Sequence, residues 1–118
     1  MGISLIDSGR ENCYERDGSK IFYTEALPRD VDKIQGDHYK NKNGKFKVDF
    51  SSAKSAILKK YVTRWEGVEG AASPADLVDV KGYQIPAIEL LPGEDRDALY
   101  LAITGRTPDE EDEDEGNG

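Results

Sequence analysis

Asp49-Phe-Ser-Ser-Ala-Lys-Ser-Ala-Ile-Leu-Lys-Lys-Tyr-Val-Thr-Arg-Trp-Glu-Gly67 is the stretch on which the fold turns. Phe50, Ala53, Ile57, Leu58, Tyr61, Val62 and Trp65 recur at spacings of three and four, the stripe of an amphipathic helix. Asp49 is placed to cap its N-terminus, where a carboxylate also suits the positive end of the helix. Glu66-Gly67 is the stop, because glycine takes the left-handed conformation that closes helices. The pattern predicts one helix over this whole stretch, with Lys54, Lys59, Lys60 and Arg64 largely outside its apolar stripe.

Upstream, Asp17-Gly18 separates two runs of strand formers and suits the positive φ angles of a two-residue hairpin turn. The second strand would carry Ile21 and Tyr23 on one face and Phe22 on the other. Ile3, Leu5 and Ile6 offer a further short strand. Leu27 to Gln35 reads as a short helix entered through Pro28, with Val31 and Ile34 on its inner face. Asn41-Lys-Asn-Gly44 reads as a polar turn. Downstream, residues 68–84 are rich in Gly, Ala, Ser and Asp and predict a connecting loop, with one helical turn after Ser73-Pro74 carrying Leu77, Val78 and Val80. Ile85 to Leu91 is apolar and ends at Pro92. A last helix is expected from about Pro92 to Thr104. Glu94, Asp95 and Asp97 favour its first turns, and Gly105 closes it. The expected class is α+β: a small N-terminal β-hairpin packed on two to three α-helices over residues 1–105, then a disordered acidic tail over 106–118.

The chain of 118 residues is long enough for one core without disulfides or metals. Its 36% apolar and 34% charged residues contain no run near the roughly 20 that span a bilayer. The single cysteine, Cys13, cannot close an internal disulfide and reads as a small half-buried hydrophobe, which fits a cytoplasmic protein. The net charge of -8 is uneven. Arg106 to Gly118 holds seven carboxylates against one arginine, whereas Lys40 to Arg64 holds eight basic residues against Asp49 alone. A lysine-rich segment with Tyr39, Phe46 and Tyr61 raises nucleic-acid binding through Lys54, Lys59, Lys60 and Arg64. The competing reading is a solvated helix face. An acidic tail folded over that face would mask it electrostatically.

Catalytic motifs are sparse. His38 is the only histidine and is expected to face solvent. The sequence contains no phosphate loop, dinucleotide fingerprint or Ca²⁺ loop. No metal site, cofactor or enzymatic activity is expected.

Ala56-Ile-Leu-Lys-Lys-Tyr-Val-Thr-Arg-Trp-Glu-Gly-Val68 follows Tyr23-Thr-Glu-Ala-Leu-Pro28 and precedes Tyr83-Gln-Ile-Pro-Ala-Ile-Glu-Leu-Leu-Pro92 and the last helix. This order resembles small tailed-bacteriophage and prophage proteins of the tail-assembly chaperone type. In those, a helix ends in a similar Val-Thr-x-Trp-x-Gly before a loop and a second helix. The resemblance covers residues 19–105, with the tryptophan segment its distinctive part, and departs at Gly70–Ser73 and in the acidic end. It implies a non-enzymatic assembly factor of the host cytoplasm. Such a factor, a homo-oligomer by the same implication, binds a hydrophobic tape-measure-type protein and tail-tube subunits and keeps the former soluble. Leu99, Tyr100, Leu101 and Ile103 would supply client surface, and Asp109 to Glu115 solubility. Trp65 is either the core anchor of its helix or an exposed client contact. A structural component of the head–tail junction is the other phage reading.

Overall fold

The computed structural model describes residues 2–107. It is the expected α+β class, with the N-terminal hairpin packed on helices. Strands β1 (Glu11–Arg16) and β2 (Ser19–Thr24) form that hairpin. Asp17 and Gly18 turn it with φ of 52° and 83°, the pair of positive angles a two-residue turn needs. Helix α1 (Pro28–Gly36) starts at proline, as read. The expected strand around Ile3–Ile6 is absent, and Ile3 and Leu5 lie exposed.

The decisive stretch departs from the single helix its periodicity suggests. Helix α2 (Phe50–Tyr61) stops at Tyr61, and Val62–Glu66 continues as strand β5. β5 adds to the hairpin as an antiparallel third strand, in the order β1-β2-β5. The reason is that Val62 and Thr63 are β-branched and prefer strands, while β2 would otherwise present a bare edge. The pairing places Trp65 opposite Ile21 with both side chains buried, so strand and helix alike bring Trp65 to the core. A register shift between Phe22 and Tyr23 lets the helix join the strand without a loop.

The helix starts where the sequence said. Asp49 accepts from the Ser52 amide at 3.3 Å and the Ser52 hydroxyl at 2.8 Å, which holds its carboxyl below the usual range. Gly67 stops the strand rather than the helix. Its φ is 72°, and a Cβ there would lie 2.7 Å from the Gly18 carbonyl oxygen. Two further hairpins stand where a turn and a loop were expected. One is β3 (Tyr39–Lys42) with β4 (Lys45–Val48); the other is β6 (Leu77–Val80) with β7 (Tyr83–Pro86). Asn43-Gly44 and Lys81-Gly82 turn them with positive φ. The helical turn expected to carry Leu77 to Val80 is therefore a strand. A 3₁₀ turn (Ala87–Leu90) leads to α3 (Gly93–Thr104), which closes on the left-handed Gly105 as read.

The core joins the inner sheet face (Ile21, Val62, Trp65) to Val31 of α1, Ile57 and Leu58 of α2, Ala87 and Ile88, and Leu99, Tyr100 and Ile103 of α3. The acidic run Asp109 to Glu115 lies outside the described residues. Arg106, assigned to the tail from sequence, is fastened instead: its guanidinium lies 2.9 Å from Asp32 and donates to Gln35 at 3.3 Å.

Ile57→Ala should cost about 2–5 kcal/mol by opening a cavity at a fully buried site. Gly67→Ala should cost at least about 1–2 kcal/mol for its left-handed backbone alone. Gly36→Ala, with open space around it, should be near neutral or slightly stabilising. Urea-unfolding midpoints check all three.

Candidate binding surfaces

The residues expected to meet a client are mostly core. Trp65 is 5% exposed, and its indole N–H donates to the Ala71 carbonyl at 3.0 Å, tying down the loop after β5. Leu99, Tyr100 and Ile103 are buried as well. α3 packs on α2, the Tyr100 hydroxyl takes a 2.6 Å hydrogen bond from Gln35, and the Ala26 amide donates to the Ile103 carbonyl. Of the α3 set only Leu101 is exposed, at 46%. The wide apolar surface of α3 is thus used inside the fold, because α1, α2 and the sheet leave it little solvent.

The four cations named for nucleic acid are also largely committed. Lys54 pairs with Asp97 and Lys59 with Glu89, each at 2.5 Å. Arg64 lies 3.0 Å from Glu11 and 3.1 Å from Glu66, and its guanidinium stacks 3.8 Å from the Phe22 ring centroid on the outer sheet face. These contacts raise Arg64 above its ordinary value, the Glu11 hydrogen bond most of all. Lys60 sits over the Tyr61 ring at 5.7 Å. Such surface pairs add little stability, but they occupy the charge a polyanion would need.

The exposed chemistry lies on the two extra hairpins. In β3–β4 the register sets Lys40 opposite Lys47, Lys42 opposite Lys45, Tyr39 opposite Val48 and Asn41 opposite Phe46. Strand alternation therefore gathers Lys40, Lys45 and Lys47 on one face and Tyr39 and Phe46 on the other. Phe46 is 75% exposed and Tyr39 is also exposed. The Asp49 amide donates to the His38 carbonyl at 2.7 Å, closing the ladder where the ribbon meets α1 and α2. On β6–β7, Val78 turns inward against the core, while Leu77 and the tip residue Tyr83 (73% exposed) face solvent.

One polar cluster was not legible in the sequence. Arg16, at the end of β1, grips Asp95 of α3 with Nε to Oδ1 at 2.5 Å and Nη2 to Oδ2 at 2.6 Å. The Tyr14 hydroxyl donates to the same Oδ1 at 2.7 Å. The Arg16 hydrogen bonds hold the Asp95 carboxyl below its ordinary range, while burial and the carboxylate push the Tyr14 hydroxyl up. These groups line a cleft of about 270 Å³ with Leu91 and Pro92, but they satisfy one another. A second cleft, about 350 Å³, is mainly apolar, lined by Leu58, Val62, Pro74, Pro86 and Ile88 with Lys59 and Thr63.

His38 is half-buried rather than solvent-facing, its Nδ1 donating to the Ile34 carbonyl at 2.7 Å. Cys13, expected half-buried, is exposed on the outer sheet face. Among the described residues no group of three or more His, Cys, Asp or Glu could hold a metal ion, and no helix is long and apolar enough to cross a membrane. No family model matches the chain, and comparison with curated proteins and with solved structures gives no match.

Because Asp95 is depressed in the folded chain, its contribution is present above its unfolded value near 3.8 and is lost as pH falls through its lower folded value. The urea midpoint should therefore fall on acidification below about pH 4. Asp95→Asn should lower the neutral-pH midpoint and flatten that acid limb; an unchanged limb would remove Asp95 from the account.

Proposed function

We propose that this chain is a non-enzymatic assembly factor of the tail-assembly chaperone kind, acting in the host cytoplasm by binding another protein. Its client is a long, hydrophobic tape-measure-type protein, with tail-tube subunits as further partners. The observation that carries the reading is the placement of large apolar side chains. Tyr39 and Phe46 on one hairpin, and Leu77 and Tyr83 on the other, stand in solvent while the core is closed beneath them. Exposed aromatic side chains on projecting arms suit protein contact, since aromatic groups dominate binding hot spots. Exposed Ile3 and Leu5 ahead of the first hairpin add apolar surface of the same kind. The Ala56 to Val68 segment resembles that family in its residues, although Val62–Glu66 is a strand here and not the end of a helix. Within this reading Trp65 holds the arms' platform together, and the client meets the hairpins rather than α3.

Co-expression with the tape-measure-type protein encoded in the same genome, followed by affinity capture, tests this. The full chain should bring the client down in soluble form. Phe46→Ser with Tyr83→Ser should cut recovery at least about tenfold with the urea midpoint unchanged, as expected for removal of exposed hot spots. No soluble complex with the wild-type chain, or full recovery with the double variant, would overturn the reading.

A further inference from the structure

The lysine face of the β3–β4 ribbon sets like charges side by side. Directly opposed like charges destabilise a strand pair, yet the register sets Lys40 against Lys47, with Lys45 on the same face. Three other cations of this segment sit beside carboxylates, Lys54 by Asp97, Lys59 by Glu89 and Arg64 by Glu11 and Glu66, while Lys60 lies over the Tyr61 ring. Among the described residues no carboxylate forms an ion pair with Lys40, Lys45 or Lys47. Asp49, at the ribbon's base, is held by Ser52, whose hydroxyl donates to it at 2.8 Å, and Lys40 is a lesser influence on its carboxyl. Among the described residues, folding thus leaves Lys40, Lys45 and Lys47 as a concentrated positive strip with no ion-pair partner on an exposed ribbon.

We propose that this strip is a binding site for the phosphodiester backbone of double-stranded nucleic acid. Residues two apart on a strand stand roughly 6.6 Å apart, and neighbouring strands about 4.8 Å, so the lysine ammonium groups form a compact patch. Lysine is a mobile point charge suited to phosphate. Duplex DNA supplies the densest common array of such charge, one per about 1.7 Å of axis. Tyr39 and Phe46 belong to the opposite face, so the contact reads no bases and is independent of sequence. It also leaves the aromatic face free for the protein partner proposed above, and the two proposals stand or fall separately.

Fluorescence anisotropy of the full chain on a fluorescein-labelled duplex of random sequence tests the proposal. Binding should appear at about 50 mM salt and weaken roughly 10- to 40-fold by about 200 mM, the counterion-release slope for two to three phosphates. A scrambled duplex should bind equally, and the matching single strand more weakly. Lys45→Gln with Lys47→Gln should weaken binding at least tenfold while leaving the urea midpoint unchanged or raised. Lys20→Gln, on β2 and paired with Glu15, should have no effect. Phe46→Ser should leave duplex binding intact. No binding by the wild-type chain at the lower salt, full binding by the double lysine variant, or tighter binding to the single strand would each overturn it.

Discussion

The fold depends on a choice made at the Tyr61–Val62 bond. Up to Tyr61 the chain gains most from a helix whose inner face carries Ala53, Ile57, Leu58 and Tyr61. From Val62 it gains more from pairing with β2, which supplies backbone partners and sets Trp65 across from Ile21. A tryptophan buried on a sheet face removes more apolar surface from water than any other single side chain here. Its indole N–H must then find an acceptor, and the Ala71 carbonyl provides one. That bond draws the loop after β5 back over the core and sets the approach to the β6–β7 hairpin. The turn of Gly67 beneath the Gly18 carbonyl locks the strand end to the first hairpin.

Once that platform is closed, little apolar surface on the helices is left for partners. α3 is held from two sides, by its packing on α2 and by the Arg16–Asp95 clamp from the first hairpin. Asp95 is 5% exposed, so its charge is tolerable only because a guanidinium and a phenol meet both oxygens. The same economy governs the outer faces, where Arg64, Lys54 and Lys59 are matched to carboxylates. Reactive surface is displaced onto the two projecting hairpins, one bearing aromatic and lysine faces back to back, the other an exposed Leu77 and Tyr83.

Much of this architecture was legible in the sequence because it rests on local chemistry. Asp17-Gly18, Pro28, Asp49 and Gly105 each do what their backbone preferences dictate. The end of α2 was not legible, because a Tyr61-to-Trp65 spacing of four is consistent with a helix. A strand reaches the same burial through a register known only once β2 is in place. The β3–β4 hairpin is only weakly marked: Lys45 to Val48 alternates over four residues and Asn43-Gly44 signals the turn, but β3 carries Tyr39 as its one apolar residue. The β6–β7 hairpin did alternate around Val78, Val80 and Ile85, but Lys81-Gly82 is a weaker turn signal than Asp-Gly or Asn-Gly. The clamp joins residues 79 apart, and Asp95 alone reads as an acid suited to a helix N-terminus. The client-surface expectation failed for a related reason: Ala98 to Ile103 of α3 is apolar on every side, and sequence cannot say how many sides of such a turn its neighbours will cover.

The chain contains one tryptophan, so its emission reports on the platform without ambiguity. In the free protein, Trp65 fluorescence should be blue-shifted from that of indole in water and poorly quenched by acrylamide, and it should change little when a client or duplex binds the hairpins. A red-shifted, freely quenched Trp65 that becomes protected on client binding would contradict the account. It would return the contact surface to the end of the long amphipathic stretch.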